Sequence, residues 1–212
     1  MTALIVIAKA PVAGQVKTRL TPPFTPVEAA GLAAAALADT LAACAGARRP
    51  ARRVLVLDGD PGAWVPDGFE VLPQRGDGLA ARLAAAFVDV GDPALLVGMD
   101  TPQLTPELLD TGLAALDGAD AVFGAALDGG YWGIGLRRPD PAVFQGVPMS
   151  ARDTGARQRA RLAELNLRTA LLPPLRDVDT VADARAVAAA ALGSRFAALL
   201  DEIGTPAEGL VA

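Results

Sequence analysis

The sequence predicts an α/β fold in three layers, in which two layers of helices cover a mostly parallel central sheet. Two observations support this prediction. Short apolar runs typical of buried strands alternate with longer helical segments along the chain. Capping residues followed by proline or an acidic residue also mark the starts of several helices. In such folds, ligands bind outside the carboxyl ends of the strands, so the polar residues after each strand are the candidates for function.

The predicted elements follow one another closely enough for one domain. Strands are predicted at 4–8, 54–57, 69–72, 94–98, 121–126, 131–136 and 167–172. Helices are predicted at 25–45, 77–90, from 105, 150–165, from 180, and 194–203. Thr25, Asp77, Thr105, Ser150 and Thr180 are the expected caps. With no internal repeat or long linker, residues 1–212 are predicted to form a single domain.

Composition and charge exclude several classes of function. The net charge is −5 and the pI about 4.8, opposite to the basic surface that nucleic-acid binding needs. The apolar start ends at Lys9 without a basic region before it, so no signal peptide is expected. Charged and polar residues interrupt the alanine-rich run 30–47, which argues against a membrane span. The single cysteine, Cys44, suits a reducing cytoplasm, the expected location.

The chain contains no histidine, which limits its metal and acid–base chemistry. Oxygen ligands favour Mg²⁺ or Mn²⁺ over zinc. A general base would have to be a carboxylate, a lysine or a tyrosine.

A loop rich in cations follows the first predicted strand. It carries Lys9, Gly14, Lys17, Thr18 and Arg19, which could enclose a diphosphate. The spacing is not that of a P-loop, because two residues separate the glycine from the lysine. A solvated basic loop is the alternative explanation.

Aspartates follow two other predicted strands. Asp100 ends an apolar run, where a carboxylate must be solvated, paired or bound to metal. The alternative is an Asx-turn before the next helix. Asp177 and Asp179 flank an apolar valine and could place both carboxylates on one side of an extended segment, completing a metal site begun by Asp100. The dipole of the following helix would by itself explain Asp179.

A tight turn, Asp128-Gly129-Gly130, leads into two aromatic residues. Paired glycines let a backbone pass close to a bound ring, and Tyr131 or Trp132 could stack on a sugar or a base. A hairpin turn with two packed aromatic residues explains the same pattern equally well.

Together these segments resemble the DUF2064 family, small bacterial GT-A-like proteins grouped with the nucleotide-diphospho-sugar transferases. The resemblance rests on Lys9-Ala10-Pro11, Gly14, Lys17-Thr18-Arg19-Leu20, Gly98-Met99-Asp100-Thr101-Pro102, Asp128-Gly129-Gly130-Tyr131 and Asp177-Val178-Asp179-Thr180. These motifs span nearly the whole chain, from residue 4 to about residue 190.

The resemblance implies a Rossmann-like sheet and a role for each motif. Nucleotide and diphosphate binding would fall to Lys9, Ala10, Gly14, Lys17, Arg19, Gln74 and Arg82. Asp100 and Asp128 would be catalytic, and Gly129, Gly130 and Tyr131 would face the acceptor. Gly98 stands where GT-A proteins carry their first metal aspartate, so the second ligand of Mg²⁺ or Mn²⁺ is expected to be Asp179, beside Asp100. Met149 replaces a tryptophan of many relatives near the acceptor.

The implied activity is a metal-dependent transferase that uses a nucleotide-diphospho-sugar and a small-molecule acceptor, thus a glycosyltransferase. The alternative is a nucleotidyltransferase that uses a nucleoside triphosphate, since Lys17-Thr18-Arg19-Leu20 is also similar to the Lys-Ser-Arg-Leu of phospholactate and phosphoenolpyruvate guanylyltransferases. A nucleotide-binding module without catalysis is the third hypothesis. The sequence leaves the oligomeric state open.

Overall fold

A seven-stranded sheet forms the centre of the fold in the computed structural model, which describes residues 1–204. Its strands are β1 Ala3–Lys9, β2 Arg52–Asp58, β3 Glu70–Pro73, β4 Ala94–Gly98, β5 Ala121–Ala126, β6 Tyr131–Leu136 and β7 Thr169–Leu175. They lie in the order β3-β2-β1-β4-β6-β5-β7. Within the described range, β6 is the one strand antiparallel to its neighbours. The predicted α/β fold with a mostly parallel sheet is therefore confirmed.

Helices cover both faces of this sheet. They are α1 Pro26–Gly46, α2 Gly78–Val90, α3 Pro106–Ala115, α4 Thr154–Glu164, α5 Val181–Ala190 and α6 Arg195–Ile203. Two short 3-10 helices, Thr18–Leu20 and Pro141–Phe144, lie between them. One apolar cluster joins α1 and α3 to the sheet, and a second joins α2 and α4 to its other face. A third cluster packs α5 and α6 against α1.

The central strand β1 shows why the sequence folds this way. Leu4 and Val6 belong to the cluster on the α1 side, whereas Ala3 and Ile5 belong to the cluster on the α2 side. All four residues are fully buried. A parallel strand with helices on both faces needs apolar residues at every position, which the continuous run in the sequence supplies.

Helix caps confirm some expected boundaries and correct others. Thr25 and Thr180 form complete capping boxes with Glu28 and Asp183. Asp77 precedes α2 as predicted, but its side chain makes no capping hydrogen bond. The prediction that Ser150 caps a helix is wrong. Ser150 has a left-handed backbone and α4 begins only at Thr154, whose hydroxyl accepts from Ala151 N and donates within the preceding turn.

The alanine-rich helix α1 is long and apolar enough to cross a membrane by length and composition alone, with a mean hydropathy of 1.5. However, 61% of that segment is buried within the fold. The core helix of a soluble protein meets the same criterion, and α1 packs between the sheet and α6.

The connection between β3 and β4 creates a switch in strand order. The chain runs outward from β1 through β2 to β3, then returns to place β4 on the other side of β1. A crevice opens at such a point, outside the carboxyl ends of the strands. Lys9, Asp58 and Asp100 end or follow β1, β2 and β4, so the topology brings them to this crevice.

Candidate active site

The most enclosed cation of the site is Lys17. Its side chain is 10% exposed, and Nζ lies 2.7 Å from Asp100 Oδ2. Nζ also donates a hydrogen bond to the carbonyl oxygen of Val178, while Val178 N donates to Asp100 O at 3.0 Å. The basic loop, the end of β4 and the segment after β7 thus meet at one point, as the sequence analysis required.

Lys17 reaches this point through an uncommon backbone conformation. Its φ of 50° lies in the left-handed region, immediately before the short helix at Thr18–Leu20. Such a conformation is strained for a residue with a long side chain, and its persistence implies that surrounding contacts hold it. The ion pair with Asp100 and the bond to Val178 are those contacts.

Asp177 is the carboxylate most affected by this arrangement. Burial, and next the negative charge of Asp128, raise the pKa of Asp177 to about 6. Asp100 raises this pKa further, whereas the Lys17 ammonium lowers it. Three carboxylates therefore share one electrostatic environment with a single enclosed lysine, and we call this group the acidic cluster: Asp100, Asp128 and Asp177.

Asp179, the expected second metal ligand, is engaged elsewhere. Its carboxylate forms an ion pair with Arg19, whose side chain is 70% exposed. In a regular extended segment, the side chains of residues two apart point to the same side. Asp177 and Asp179 would therefore share a side only if the segment between them stayed regular. The structure pairs Asp179 with Arg19 and places Asp177 within the influence of Asp100 and Asp128; a metal role for Asp179 stays a prediction.

The acidic cluster has features that suit a divalent cation. Asp100 Oδ1 is buried and has no hydrogen-bond partner among residues 1–204. Burial, and then the charges of Asp128 and Asp100, raise the pKa of Asp177, and a bound cation would favour its charged form. Across the described residues, no group of three or more acidic side chains stands ready as a complete metal site. Mg²⁺ commonly needs only one or two carboxylates besides substrate phosphates, so the donor set fits this ion.

A second group of polar side chains lies at the ends of β1, β2 and β3. Arg82 Nη1 lies 2.6 Å from Asp58 Oδ2 and 3.2 Å from Gln74 Oε1. Lys9 Nζ lies 3.9 Å from the same oxygen of Asp58. Gln74 Nε2 donates to Ala8 O at 2.7 Å, which fixes the amide against β1. The structure thus brings Lys9, Gln74 and Arg82 together, and we call these three residues with Asp58 the β1–β3 polar cluster.

Asp58 is the member that sequence reasoning missed. The second strand was predicted at 54–57 and Asp58 in the turn after it, so Asp58 was not among the candidate site residues. The signal in the sequence was its position directly after an apolar strand, whereas its register beside Lys9, the last residue of the adjacent parallel strand, is seen only in the structure. The backbone supports the same meeting point, since Ala10 N donates to Asp58 O at 2.8 Å.

The glycine turn on the other side of the crevice is closely packed. Asp128 Oδ1 accepts from Gly130 N at 2.8 Å, an Asx-type turn. Gly155 N, in the first turn of α4, donates to Gly129 O at 2.8 Å. Gly129 has a φ of 96°, and a side chain there would collide with the backbone of Arg152. The turn therefore rests on the segment that leads into α4.

The two aromatic residues after this turn are packed, as the hairpin alternative required. Trp132 is 3% exposed and donates from Nε1 to Pro173 O at 3.0 Å, and Gly124 leaves the space for its ring. Stacking of Trp132 on a ligand is therefore excluded. The Tyr131 ring packs at 5.4 Å from that of Phe123, and burial raises the pKa of Tyr131. Tyr131 borders the turn rather than standing free in the crevice.

The fold and the crevice define a Rossmann-like α/β protein with charged side chains at its switch point. The chain belongs to the DUF2064 family, described as an uncharacterized protein conserved in bacteria, whose model matches residues 30–151. The resemblance found in the sequence is thereby confirmed.

Two relatives with assigned names indicate the class of activity. The chain is 37% identical over 196 residues to a phosphoenolpyruvate guanylyltransferase of Thermomonospora curvata, covering 86% of this chain and 82% of that protein. It is 30% identical to a solved protein of Desulfovibrio desulfuricans G20, provisionally named a nucleotide-diphospho-sugar transferase. The match to that structure has a TM-score of 0.85 and covers 95% of this chain and 94% of that one. These relatives support a transferase function of the nucleotidyl or nucleotide-diphospho-sugar type.

A more distant structure shares the fold alone. It is the manganese complex of Rv0371C from Mycobacterium tuberculosis H37Rv, with 20% identity and a TM-score of 0.53. The match covers 88% of this chain and 97% of that protein.

Proposed function

We propose that this protein is a metal-dependent nucleotidyltransferase that joins a nucleoside monophosphate, taken from a nucleoside triphosphate, to a small anionic acceptor. The observation that carries the proposal is the acidic cluster around Lys17. These carboxylates and the enclosed ammonium lie at a switch-point crevice, where the carboxylates could hold a metal and the ammonium could bind phosphate groups. A transferase that acts on phosphorus needs both.

The metal would be Mg²⁺ or Mn²⁺, held by Asp100 together with Asp177 or Asp179. When bound, the ion would offset negative charge on the phosphates and on the departing pyrophosphate. We favour Asp177 as the second ligand, because it lies within the electrostatic influence of Asp100 and Asp128, whereas Asp179 already pairs with Arg19. The distant relative of the same fold was solved as a complex with manganese, which supports the choice of a divalent ion.

Lys17 and Arg19 would bind the phosphates. Both pair with carboxylates in the free protein, and nucleotide binding would exchange these partners for phosphate oxygens. The low exposure of Lys17 makes its interaction the stronger of the two, because screening by water is weaker there. The acceptor oxygen would attack the α-phosphorus, the bond to the bridging oxygen of the β-phosphate would break, and pyrophosphate would leave.

The position of the glycine turn favours reaction at phosphorus. Asp128 lies close enough to Asp177 to raise its pKa, so the acceptor side of the crevice borders the acidic cluster directly. In a glycosyl transfer the reacting centre is C1 of the sugar, which is bonded to an oxygen of the β-phosphate, so a whole sugar ring would have to fit beside these carboxylates. The identity to the guanylyltransferase of T. curvata supports the same choice.

Glycosyl transfer is the second candidate, and one observation favours it. The structure from D. desulfuricans G20 superposes on nearly the whole chain, and its provisional name is that of a nucleotide-diphospho-sugar transferase. The two activities differ in their products, because glycosyl transfer releases a nucleoside diphosphate and nucleotidyl transfer releases pyrophosphate.

A product assay tests the proposal. The protein is incubated with Mg²⁺, an anionic acceptor such as phosphoenolpyruvate or phospholactate, and either nucleoside triphosphates or nucleotide-sugars. We expect pyrophosphate from a triphosphate, dependent on metal and acceptor and lost in Asp100→Asn. Release of nucleoside diphosphate from a nucleotide-sugar would overturn nucleotidyl transfer. Metal-dependent nucleotide binding without any product would instead support a non-catalytic module.

A further inference from the structure

The backbone on both sides of Asp177 is anchored to the segment that follows β4. The carbonyl oxygen of Arg176, the residue before it, accepts a hydrogen bond from Gln103 Nε2. Val178, the residue after it, donates from N to Asp100 O at 3.0 Å. The path of the chain through Asp177 is therefore fixed by two bonds to residues 100–103.

Gln103 reaches Arg176 from a turn that its neighbours stabilise. Leu104 N donates to Thr101 O at 3.0 Å, which closes a turn with Pro102 and Gln103 at its centre. Proline has the φ that the second position of such a turn needs. Thr101 and Leu104 are buried at the two ends of the turn. The side chain of Gln103 therefore starts from a fixed point.

The side chains next to Asp177 are turned towards α5. Arg176 Nη1 lies 2.7 Å from Asp183 Oδ1, and Val178 is buried in the apolar cluster that contains α5 and α6. Asp177, between them, lies instead within the electrostatic influence of Asp128. The position of the Asp177 carboxylate thus depends on how the backbone on either side of it is held.

Stability alone gives a weak reason for a glutamine at position 103. Its Oε1 is buried and has no hydrogen-bond partner among residues 1–204. Buried polar atoms are normally paired, and an unpaired one lowers stability. Gln103 therefore makes one hydrogen bond and leaves one buried oxygen unpaired, so its net contribution to folding is small.

We propose that Gln103 is a positioning residue for the candidate metal site. By holding Arg176 O, it keeps the Asp177 carboxylate beside Asp100, so that both can bind one divalent ion. The inference rests on the proposed metal-dependent function and adds to it a residue that acts through Asp177. Gln103 takes no direct part in metal binding or in the transfer.

Binding of Mn²⁺ to the free protein tests this inference without relying on activity. Electron paramagnetic resonance measures free Mn²⁺ during titrations of the wild type and of Gln103→Met, which has a similar volume and lacks both amide groups. We expect Gln103→Met to bind Mn²⁺ about 10-fold more weakly, the lower end of the usual loss when a residue that orients a metal ligand is removed.

A second variant guards against a folding defect. Gln103→Asn keeps an amide on a side chain one methylene shorter, which no longer reaches Arg176 O. It should weaken Mn²⁺ binding in the same direction. Melting curves establish that each variant is folded at the temperature of the titration.

A double-mutant cycle separates positioning from a general disturbance of the site. If Gln103 acts through Asp177, its effect disappears once residue 177 no longer binds the ion. We therefore expect Asp177→Asn to weaken Mn²⁺ binding, and Gln103→Met to cause no further loss in that background. An equal loss in both backgrounds, or no effect of Asp177→Asn, would overturn the inference.

Gln145→Met is the matched control. Gln145 is an exposed glutamine directly after the short helix Pro141–Phe144, outside both clusters. We expect this variant to bind Mn²⁺ as the wild type does.

Kinetics provide a second readout. In Gln103→Met the Mn²⁺ concentration for half-maximal turnover should rise, while turnover at saturating Mn²⁺ should stay close to the wild-type level, because excess metal compensates for a weakened site. A loss of turnover at saturating Mn²⁺, with unchanged Mn²⁺ affinity, would contradict the positioning role.

The remaining outcomes separate this inference from the proposed function. Mn²⁺ binding that depends on Asp100 but is equal in the wild type and Gln103→Met would overturn the positioning role and leave the metal-dependent function standing. Failure of the wild type to bind Mn²⁺, with or without a nucleoside triphosphate, would overturn both.

Discussion

The two halves of the crevice differ in the balance of positive and negative side chains. On the β1–β3 side, a carboxylate is balanced by Lys9 and Arg82, and the side chains are largely hydrated. On the β4 side, Asp100 pairs with the enclosed Lys17, and burial together with the charges of Asp128 and Asp100 raises the pKa of Asp177. The first half therefore has one more cation than carboxylates, and its charged groups are already paired with one another. The second half carries excess negative charge and suits a cation with its phosphates.

Removing the central carboxylate should have the largest effect. Asp100→Asn is expected to lower turnover by about 10²–10³-fold, the loss typical for one group that stabilises charge in a transition state. The melting temperature should change little, because asparagine keeps an oxygen that can accept a hydrogen bond from Lys17 and its neutral side chain removes the repulsion on Asp177. Steady-state kinetics and a thermal melt measure both quantities.

Asp117→Asn is the control for this substitution. Asp117 forms a comparable ion pair with Arg49, 2.6 Å away, outside both clusters. Its loss should leave turnover intact. Equal activity of Asp100→Asn and the wild type would remove the acidic cluster from the mechanism.

The two lysines of the crevice offer the next comparison. Lys17→Gln should weaken nucleoside triphosphate binding by about 10- to 100-fold, because the enclosed ammonium would lose charge-assisted hydrogen bonds to phosphate. Lys9→Gln removes a side chain that is 57% exposed and should weaken binding less. Calorimetric titration of both variants measures the difference, and an equal or reversed order would contradict the placement of the phosphates at Lys17.

Much of the fold was readable from the sequence, because it depends on local patterns. The apolar run of β1 is continuous since both of its faces are buried, and the Thr25 and Thr180 capping boxes fall where their short motifs predict. Ser150 fails as a cap because Thr154, four residues on, organises the turn with its hydroxyl. No local pattern distinguishes these two hydroxyls. That residues 1–212 form a single domain stays a prediction.

Only part of the candidate site could be predicted from the sequence. Sequence reasoning brought Lys17, Asp100 and the Asp177–Asp179 segment together, and the structure joins them through Val178. It could not decide which aspartate of the segment approaches Asp100, because that depends on how the chain leaves β7. Asp58 was missed since its partners, Lys9 and Arg82, come from strands and helices distant in sequence.

The pH dependence of stability tests the raised pKa of Asp177, which results from burial and from the neighbouring carboxylates. The folded-state pKa of Asp177 is raised from 3.8 to about 6, so the folded protein binds this proton more tightly than the unfolded chain. The contribution of Asp177 to stability is therefore lost as pH rises from about 4 to about 6. Asp177→Asn should melt at a higher temperature than the wild type at pH 7, with the difference vanishing near pH 3.5.

Asp179→Asn is the matched variant on the same segment. Because Asp179 pairs with exposed Arg19, its loss should leave the melting temperature at pH 7 unchanged or slightly lowered. If Asp179→Asn rather than Asp177→Asn stabilises the protein at pH 7, the crowded carboxylate has been assigned to the wrong residue. Metal affinity should also fall below about pH 6 if Asp177 is a ligand, since protonation removes its charge.

The smallest effects are expected from two helix caps, one after the basic loop and one after the acidic segment. Thr25 caps α1 after the basic loop, and Thr180 caps α5 directly after Asp179. Each threonine-to-alanine substitution should cost about 1 kcal/mol of stability, the usual value for a lost cap. Turnover at saturating substrate should stay at the wild-type level in both variants, because neither hydroxyl reaches the clusters. A loss of turnover confined to Thr180→Ala, at temperatures where the protein remains folded, would show that the α5 cap positions the acidic segment, and that the β4 half of the crevice is the less rigid one.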